Sequence, residues 1–290
     1  MANKKLSVTD LREKKIHKEK LVMMTAYDYP SAKMAEAAGI DMILVGDSLG
    51  MAVLGYDSTL PVTIEDMVHH TKAVTRGAKQ TMVVADLPFL TYTNVQDAII
   101  HAGRLMQEGL ADAVKMEGGT EIASQIEALV QAGIPVIGHI GLTPQAVNQL
   151  GGFKVQGSDP ISAKRIFIAA KELEQAGCSG IVLECVPRVL AGLITEALSI
   201  PTIGIGAGAE CDGQVLVLHD LLGLSEAYLP RFAKQYMDGY GQMVEAIAEY
   251  RKEVKEQAFP DHDHSFGMKK EWAEQLRNDI AALQEEWKRL

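Results

Sequence analysis

Apolar and polar residues alternate along most of the chain in two periods, one typical of helices and one of strands. Helical patterns end at Gly39, Gly109, Gly133 and Gly177, and a short apolar run follows each glycine within a few residues. Glycine is favoured there because it readily adopts the left-handed backbone that closes a helix. The pattern therefore predicts a repeated helix–strand unit.

Two helix starts are marked by residues that satisfy free backbone N–H groups. Thr63 and Asp66 have the spacing of a capping box, and Asp159 stands before Pro160 at the beginning of another apolar-periodic stretch. A capping box and an early proline are both typical of helix N-termini. Helices are thus predicted to begin close to Thr63 and at Pro160.

Eight apolar runs have the length of β-strands. They lie near residues 21–27, 42–46, 81–86, 112–117, 135–140, 180–185, 201–205 and 214–218. Most are apolar on both faces, which indicates parallel strands covered by helices. Eight such units in roughly 225 residues favour an α/β fold of the (β/α)₈ TIM-barrel type over an open doubly wound sheet. The weakest step is the last one, because only AGAECDGQ separates the final two strands.

The end of the chain departs from this repeat. Residues 1–258 are predicted to form a single catalytic barrel domain with an N-terminal helical segment, and residues 259–290 a linker and an amphipathic helix. Apolar residues of that helix recur at spacings of four and three: Leu276, Ile280, Leu283, Trp287 and Leu290. This narrow stripe is typical of a helix-to-helix seam, made either with the chain's own barrel or with a neighbouring subunit.

Composition and charge limit the possible partners. The formal net charge of −10 argues against a general binder of nucleic acid or anionic membranes. The three cysteines lack CxxC spacing, so they suggest neither a disulfide framework nor a zinc site. The charged N-terminal stretch does not resemble a signal peptide, and no apolar run approaches the about 20 residues of a membrane span. A cytoplasmic protein is expected.

Polar residues stand at the ends of the predicted strands, where TIM barrels carry their active sites. They are Asp28, Asp47, Ser48, Asp86, Lys115, Glu117, His139, Glu184 and His219. A single acidic strand end can be a helix cap, but the convergence of so many favours a site. Lys115 and Glu117 are two residues apart and so share one face of a strand. They form either part of a polar cup at the barrel mouth or an internal salt bridge, which by itself stabilises little.

Three of these residues are candidate metal ligands. Asp47, Asp86 and Glu117 would repel one another without a cation, and all-oxygen ligation suits Mg²⁺. A bound Mg²⁺ can chelate a 2-oxo acid through its keto and carboxylate oxygens and stabilise an enolate. In this interpretation Lys115 neutralises the substrate carboxylate, and Glu184 removes the proton beside the ketone.

The same residues lie in motifs that resemble the ketopantoate hydroxymethyltransferase family. In order, the motifs are MTAYDYPSAKMAEAAGIDMILVGDSLGM, LPVTIEDMVHHTKAVTRGA, VVADLPF, VKMEGG, IPVIGHIGLTPQ and IPTIGIGAGAECDGQVLVLHDLLGL. The resemblance implies a barrel of the phosphoenolpyruvate/pyruvate superfamily, a Mg²⁺ requirement and a homodecamer built from dimers. It also implies transfer of a one-carbon unit from 5,10-methylenetetrahydrofolate to 3-methyl-2-oxobutanoate, which gives 2-dehydropantoate in pantothenate and coenzyme A biosynthesis.

The resemblance also implies roles for single residues. Asp47 and Asp86 bind both the metal and the substrate, Glu117 joins the metal shell directly or through water, and Glu184 accepts the proton. The remaining residues implied to bind substrate are Ser48, Lys115 and His139. A Mg²⁺-dependent C–C lyase or mutase of the same superfamily, acting on 2-oxo acids, is the alternative function.

Two segments and one lysine have more than one possible interpretation or no fixed place in the predicted site. Residues 204–209, GIGAGA, match a dinucleotide-binding fingerprint, but a long helix should follow that motif and another strand is predicted here. Small residues that allow close packing are the preferred interpretation, without a bound NAD. The loop of residues 47–63 is either a lid over the oxo acid or a surface excursion. Lys154 is a candidate contact for the acidic tail of the folate.

Overall fold

Eight parallel strands form a closed barrel in the computed structural model, which describes residues 5–225 and 229–289. The strands are β1 Leu21–Thr25, β2 Met42–Val45, β3 Met82–Asp86, β4 Ala113–Glu117, β5 Val136–Gly141, β6 Gly180–Glu184, β7 Thr202–Ile205 and β8 Gly213–Leu216. Each strand pairs with the next along the chain, and β8 pairs with β1. The predicted TIM barrel is confirmed. The GIGAGA segment begins with the last two residues of β7, and the chain then turns directly into β8.

Helices connect most of the strands. In the described residues they are α1 Val8–Ile16, α2 Tyr29–Ala37, α3 Leu49–Ala52, α4 Ile64–Gly77, α5 Val95–Gln107, α6 Ala123–Gln131, α7 Val147–Leu150, α8 Pro160–Gln175, α9 Arg188–Ala197, α10 Leu218–Leu222, α11 Gly239–Glu256 and α12 Lys270–Trp287. Both predicted starts are confirmed: Thr63 Oγ1 accepts a hydrogen bond from the Asp66 N–H at 3.1 Å, and the Asp159 carboxylate accepts two at the start of α8. None of the helices in the described ranges is long and apolar enough to cross a membrane.

Three of the four predicted helix-closing glycines have a left-handed backbone. They are Gly39 (φ +75°), Gly133 (φ +84°) and Gly177 (φ +101°). Gly109 differs, because the left-handed residue after α5 is Leu110, with φ +61°. A Cβ at Gly109 would lie 2.9 Å from Thr71 Cγ2 on α4, so glycine is needed there for close packing between helices.

Strand residues alternate between two hydrophobic cores, one inside the barrel and one between the barrel and the helices. On β4, Ala113 belongs to the inner core, whereas Val114 and Met116 belong to the outer one. Lys115 and Glu117 are in phase with Ala113 and therefore point into the barrel. The inner core also contains Leu21, Met23, Met42, Leu44, Met82, Val84, Ile137, Val182, Ile203, Ile205 and Val215.

Helix α1 closes the amino-terminal end of the barrel. Leu11 is fully buried and belongs to the inner core. Lysines in and before α1 pair with aspartates that stand just before β4, β2 and β8 respectively: Lys5–Asp112 at 2.6 Å, Lys14–Asp41 at 3.5 Å and Lys15–Asp212 at 2.8 Å. The opposite, carboxyl-terminal end of the strands is left for the polar residues.

The chain divides into two compact units, Met1–Met237 and Asp238–Leu290, and the domain boundary after residue 258 stays a prediction. The second unit contains α11 and α12, and α12 confirms the predicted C-terminal helix. Four residues of its predicted apolar stripe are exposed: Leu276, Ile280, Leu283 and Trp287. The fifth, Leu290, lies outside the described residues.

Candidate active site

The predicted site residues lie together at the carboxyl-terminal ends of β2 to β6. They are Asp47, Ser48, Asp86, Lys115, Glu117, His139 and Glu184. Strand pairing explains the convergence, since Asp86 is the register partner of Lys115 and Glu117 that of His139. Their individual roles stay predictions, but the polar cup expected from the sequence is present at the barrel mouth.

Each of the three predicted metal-binding carboxylates has one oxygen held by an N–H group. Asp47 Oδ2 accepts from Gln145 Nε2 at 2.8 Å, and Asp86 Oδ2 accepts from the Asp47 backbone N–H at 3.1 Å. Glu117 Oε2 accepts from the Gln145 backbone N–H at 3.0 Å. These contacts fix the three side chains and leave the second oxygen of each for other partners.

Lys115 provides the positive charge among these carboxylates. Its Nζ lies 3.1 Å from Asp86 Oδ1, 3.7 Å from Glu117 Oε1 and 3.0 Å from His139 Nδ1. Burial opposes the ammonium charge, but Asp86, Glu117 and Asp47 together raise the Lys115 pKa above its usual value. Lys115 is therefore a fixed cation at neutral pH.

The carboxylates differ in how readily they hold a proton. Burial raises the pKa of Asp47, and the charges of Glu117 and Asp86 raise it further. Burial also raises the pKa of Asp86, although Lys115 opposes this effect. For Glu117, His139 and Lys115 outweigh burial and lower the pKa. A divalent cation would favour the ionised form of all three carboxylates, because they lie so close together.

His139 connects the carboxylate cluster to Glu184. Its Nδ1 lies 3.3 Å from Glu117 Oε1, and its Nε2 lies 3.3 Å from Glu184 Oε2. Burial and the Lys115 charge lower the His139 pKa, but the two carboxylates outweigh them and raise it to about 9. The Glu184 side chain is 15% exposed, against 3% for Glu117, so Glu184 borders the open mouth of the barrel.

Ser48 is held beside the cluster by a tyrosine. Its Oγ lies 2.9 Å from Tyr27 OH, which comes from the segment after β1. A Cβ at Gly46 would lie 2.8 Å from Ser48 Oγ and 3.5 Å from Asp86 Oδ2. The GDS segment therefore needs glycine at this position, because a Cβ would collide with the Ser48 hydroxyl.

Sequence reasoning missed Gln145 and Tyr27, whose side chains contact predicted site residues. Both are buried, and an amide or a phenol is common in protein cores, so neither residue type suggests a site by itself. The available signal was position. Tyr27 follows β1 directly, and Gln145 follows β5 in the GHIGLTPQ segment.

Three other polar residues considered from the sequence have different environments. Asp28 caps α2, where its Oδ1 accepts from the Ser31 N–H at 2.8 Å. His219 is the second residue of the short helix α10, and its ring centroid lies 5.6 Å from that of Tyr27. Lys154 is exposed in the segment between α7 and α8. Asp28 is thus explained as a helix cap.

A cavity of about 620 Å³ adjoins the carboxylate cluster. Glu117 and Gln145 lie at its border with the cluster, and Phe89, Tyr92 and Ile122 contribute apolar surface. Cavities of this volume commonly accommodate small organic ligands. The site therefore combines a charged centre with adjoining space for a second molecule.

The donor set fits a hard divalent cation that keeps part of its water shell. In the described ranges, no three His, Cys, Asp or Glu side chains are arranged to hold an ion by themselves. Mg²⁺ commonly takes one or two carboxylates and completes its octahedron with water and substrate oxygens. Asp86 Oδ1 is buried and faces the Lys115 ammonium at 3.1 Å, and the Asp47 backbone N–H holds the other oxygen, so Asp47 is adjacent. These two residues suit direct ligation, with Glu117 acting through water.

Comparison with known proteins decides the family. The ketopantoate hydroxymethyltransferase family profile matches residues 5–262. The chain belongs to this family. It is 57% identical over 273 residues to 3-methyl-2-oxobutanoate hydroxymethyltransferase of Carboxydothermus hydrogenoformans, covering 94% of this chain and 99% of that protein. The enzyme of the same name from Enterococcus faecalis is 55% identical with the same coverage.

Solved structures of other enzymes share the fold of this transferase family member. Phosphonopyruvate hydrolase in complex with oxalate and Mg²⁺ has a TM-score of 0.59 at 14% identity, covering 96% of this chain and 98% of that one. The 2,3-dimethylmalate lyase, a member of the PEP mutase/isocitrate lyase superfamily, has a TM-score of 0.57 at 18% identity, covering 98% and 94%. These structures share the barrel fold with this chain.

Proposed function

We propose that this chain transfers a hydroxymethyl group from 5,10-methylenetetrahydrofolate to 3-methyl-2-oxobutanoate, giving 2-dehydropantoate for pantothenate and coenzyme A biosynthesis. Family membership supports the reaction. The observation that carries the residue assignment is the convergence of Asp47, Asp86 and Glu117 beside Lys115, with Glu184 at the mouth. A homodecamer built from dimers is part of the same proposal, and sedimentation of the purified protein tests it.

Asp47 and Asp86 would hold Mg²⁺, which when bound would act as a Lewis acid towards the oxo acid. Lys115, fixed as a cation, neutralises the substrate carboxylate and favours negative charge on the substrate as C3 loses its proton. Ser48, oriented by Tyr27, donates a hydrogen bond to the same substrate. His139 lies between Glu117 and Glu184 and holds the latter in place.

Glu184 takes the proton from C3, and the electron pair left on C3 forms a bond to the one-carbon unit of the folate. Both bonds from that unit to the folate nitrogens break, one as the bond to C3 forms and the other as the hydroxyl group of water takes its place. One nitrogen gains the second proton of water and the other gains the proton that Glu184 took from C3, which restores the carboxylate. Glu184 suits this role because its carboxylate borders the mouth while His139 Nε2 contacts its Oε2.

The test follows hydrogen exchange at C3 of 3-methyl-2-oxobutanoate in deuterated buffer. With Mg²⁺ and no folate, deuterium should enter C3, which reports proton removal alone. Addition of 5,10-methylenetetrahydrofolate should then yield 2-dehydropantoate. Exchange without product on folate addition would contradict the transferase, and cleavage of a branched 2-hydroxy acid without folate would support the lyase alternative.

A further inference from the structure

Gln145, the last residue of the IPVIGHIGLTPQ motif, makes a set of contacts that the proposed chemistry does not use. It lies in the short 3₁₀ turn Pro144–Ala146 after β5, and only 6% of its surface is exposed. Its side chain reaches across the barrel mouth from β5 to the segment after β2. A buried amide in such a place must have its donors and acceptor satisfied, so its partners indicate what it does.

The side-chain amide and the backbone N–H of Gln145 are all paired, and two of their partners are predicted metal-binding residues. Nε2 donates to Asp47 Oδ2 at 2.8 Å and to the Leu87 carbonyl oxygen at 2.9 Å. The backbone N–H donates to Glu117 Oε2 at 3.0 Å. Oε1 accepts from Tyr92 OH at 2.5 Å. Since both partners of Nε2 are acceptors and Tyr92 is a donor, the contacts fix the orientation of the amide.

The contacts of Gln145 set the position of the Asp47 carboxylate relative to that of Glu117. Asp47 follows β2 and Glu117 ends β4, so no backbone pairing sets the position of one side chain relative to the other. Gln145 holds one oxygen of each through an N–H donor, and the Asp47 backbone N–H in turn holds Asp86 Oδ2. The carboxylates would otherwise turn away from one another because of their charge.

We propose that Gln145 is a positioning residue that arranges Asp47 and Glu117 for a divalent cation before the cation binds. This inference rests on the proposed function for the existence of the metal site. Gln145 acts through the carboxylates and contacts neither the ion nor the substrate. Residues that orient metal ligands in this way typically change metal affinity by about 10- to 100-fold when they are replaced.

The test compares Q145M with Q149M. Methionine is close to glutamine in length and volume but cannot donate a hydrogen bond to Asp47. Q145M therefore removes the side-chain hydrogen bonds while largely keeping the packing. Gln149 lies in α7 of the same loop, lines the adjoining cavity and is exposed, which makes Q149M the matched control. The probe is Mn²⁺ alone, titrated without substrate, with the free ion measured by electron paramagnetic resonance.

Q145M should weaken Mn²⁺ binding about tenfold or more, and Q149M should bind within about twofold of the unaltered protein. The midpoint of Mg²⁺ dependence for C3 exchange should shift by the same factor in Q145M, and excess Mg²⁺ should restore exchange. A variant that is less heat-stable without metal but binds Mn²⁺ as tightly as the unaltered protein would overturn this inference, because Gln145 would then be only structural.

Y92F supplies a second variant with a smaller change. It removes the hydroxyl that faces both Gln145 Oε1 and the Glu117 carbonyl oxygen, and it leaves both N–H contacts to the carboxylates. Its effect on Mn²⁺ affinity should therefore lie between those of Q149M and Q145M. A larger loss of affinity in Y92F than in Q145M would contradict the role given to the Gln145 N–H groups. Failure of the unaltered protein to bind Mn²⁺ at all would instead overturn the metal site and, with it, this inference.

Discussion

Glu184 has the position that a proton acceptor needs, since it borders the open mouth and is held by His139 at 3.3 Å. In E184Q the amide keeps the shape of the side chain but cannot accept the proton. We expect C3 exchange to fall by about 10²- to 10⁴-fold, with Mg²⁺ and oxo-acid affinity nearly unchanged by calorimetry. E196Q, which alters an exposed glutamate of α9, is the control. Undiminished exchange in E184Q would assign proton removal to another group.

Lys115 is the fixed counter-charge of the cluster, so its loss should affect stability as well as chemistry. K115M leaves Asp86 and Glu117 buried without their ammonium partner. We expect the free energy of unfolding without metal to fall by about 3 kcal/mol in urea denaturation, and saturating Mg²⁺ to recover part of the loss. K164M, at an exposed lysine of α8, should change stability little. Equal stability of K115M and the unaltered protein would show that Lys115 is not needed as a counter-charge.

The sequence predicted the charged residues of this site far better than the neutral ones. Strand phase alone places Lys115 and Glu117 on the inner face, and the carboxylates stand out because charge is rare in a core. Gln145 could not be predicted in the same way. Its contacts with Asp47 and Glu117 depend on how the turn after β5 folds back over the barrel mouth, and that path is not encoded in a local period.

Among the elements, α1 makes a clear energetic contribution because it closes the amino-terminal end of the barrel. L11A would leave a cavity in the inner core, where Leu11 is fully buried. We expect a loss of about 2–5 kcal/mol in the free energy of unfolding, measured by chemical denaturation. I16A on the same helix is the control, since Ile16 is 68% exposed. Similar losses in the two variants would contradict the closing role of α1.

Strands were easier to predict than the residues that end helices. The eight apolar runs have the correct order and nearly the correct bounds, because parallel strands covered on both sides are apolar throughout. Gly109 shows that the sequence pattern does not always identify the residue that ends a helix. Its sequence context matches that of Gly39 and Gly177, yet the left-handed conformation is adopted by Leu110 and the glycine is used for contact with Thr71. Packing between α4 and α5 decides this difference, and it is not visible in either segment alone.

At the scale of the whole molecule, the family match and the candidate site both end before the C-terminal helix α12 begins. The profile ends at residue 262, and the predicted site residues end at Glu184. We therefore expect a chain lacking residues 268–290 to keep C3 exchange within about twofold. Molar mass from light scattering, compared with the full chain, shows whether the exposed stripe of α12 joins subunits. A loss of exchange at unchanged molar mass would contradict the independence of the site from α12.

In this barrel, the residues that support stability lie at the amino-terminal ends of the strands and those of the candidate site lie at the carboxyl-terminal ends. Asp112 pairs with Lys5 just before β4 begins, and β4 ends at Glu117 in the site. Adaptation to heat can therefore act on the α1 side of the barrel while turnover stays constant. In a laboratory selection for survival at rising temperature, we expect beneficial substitutions to accumulate around α1 and its aspartate partners, and to be rare among the loops that follow β2 to β6.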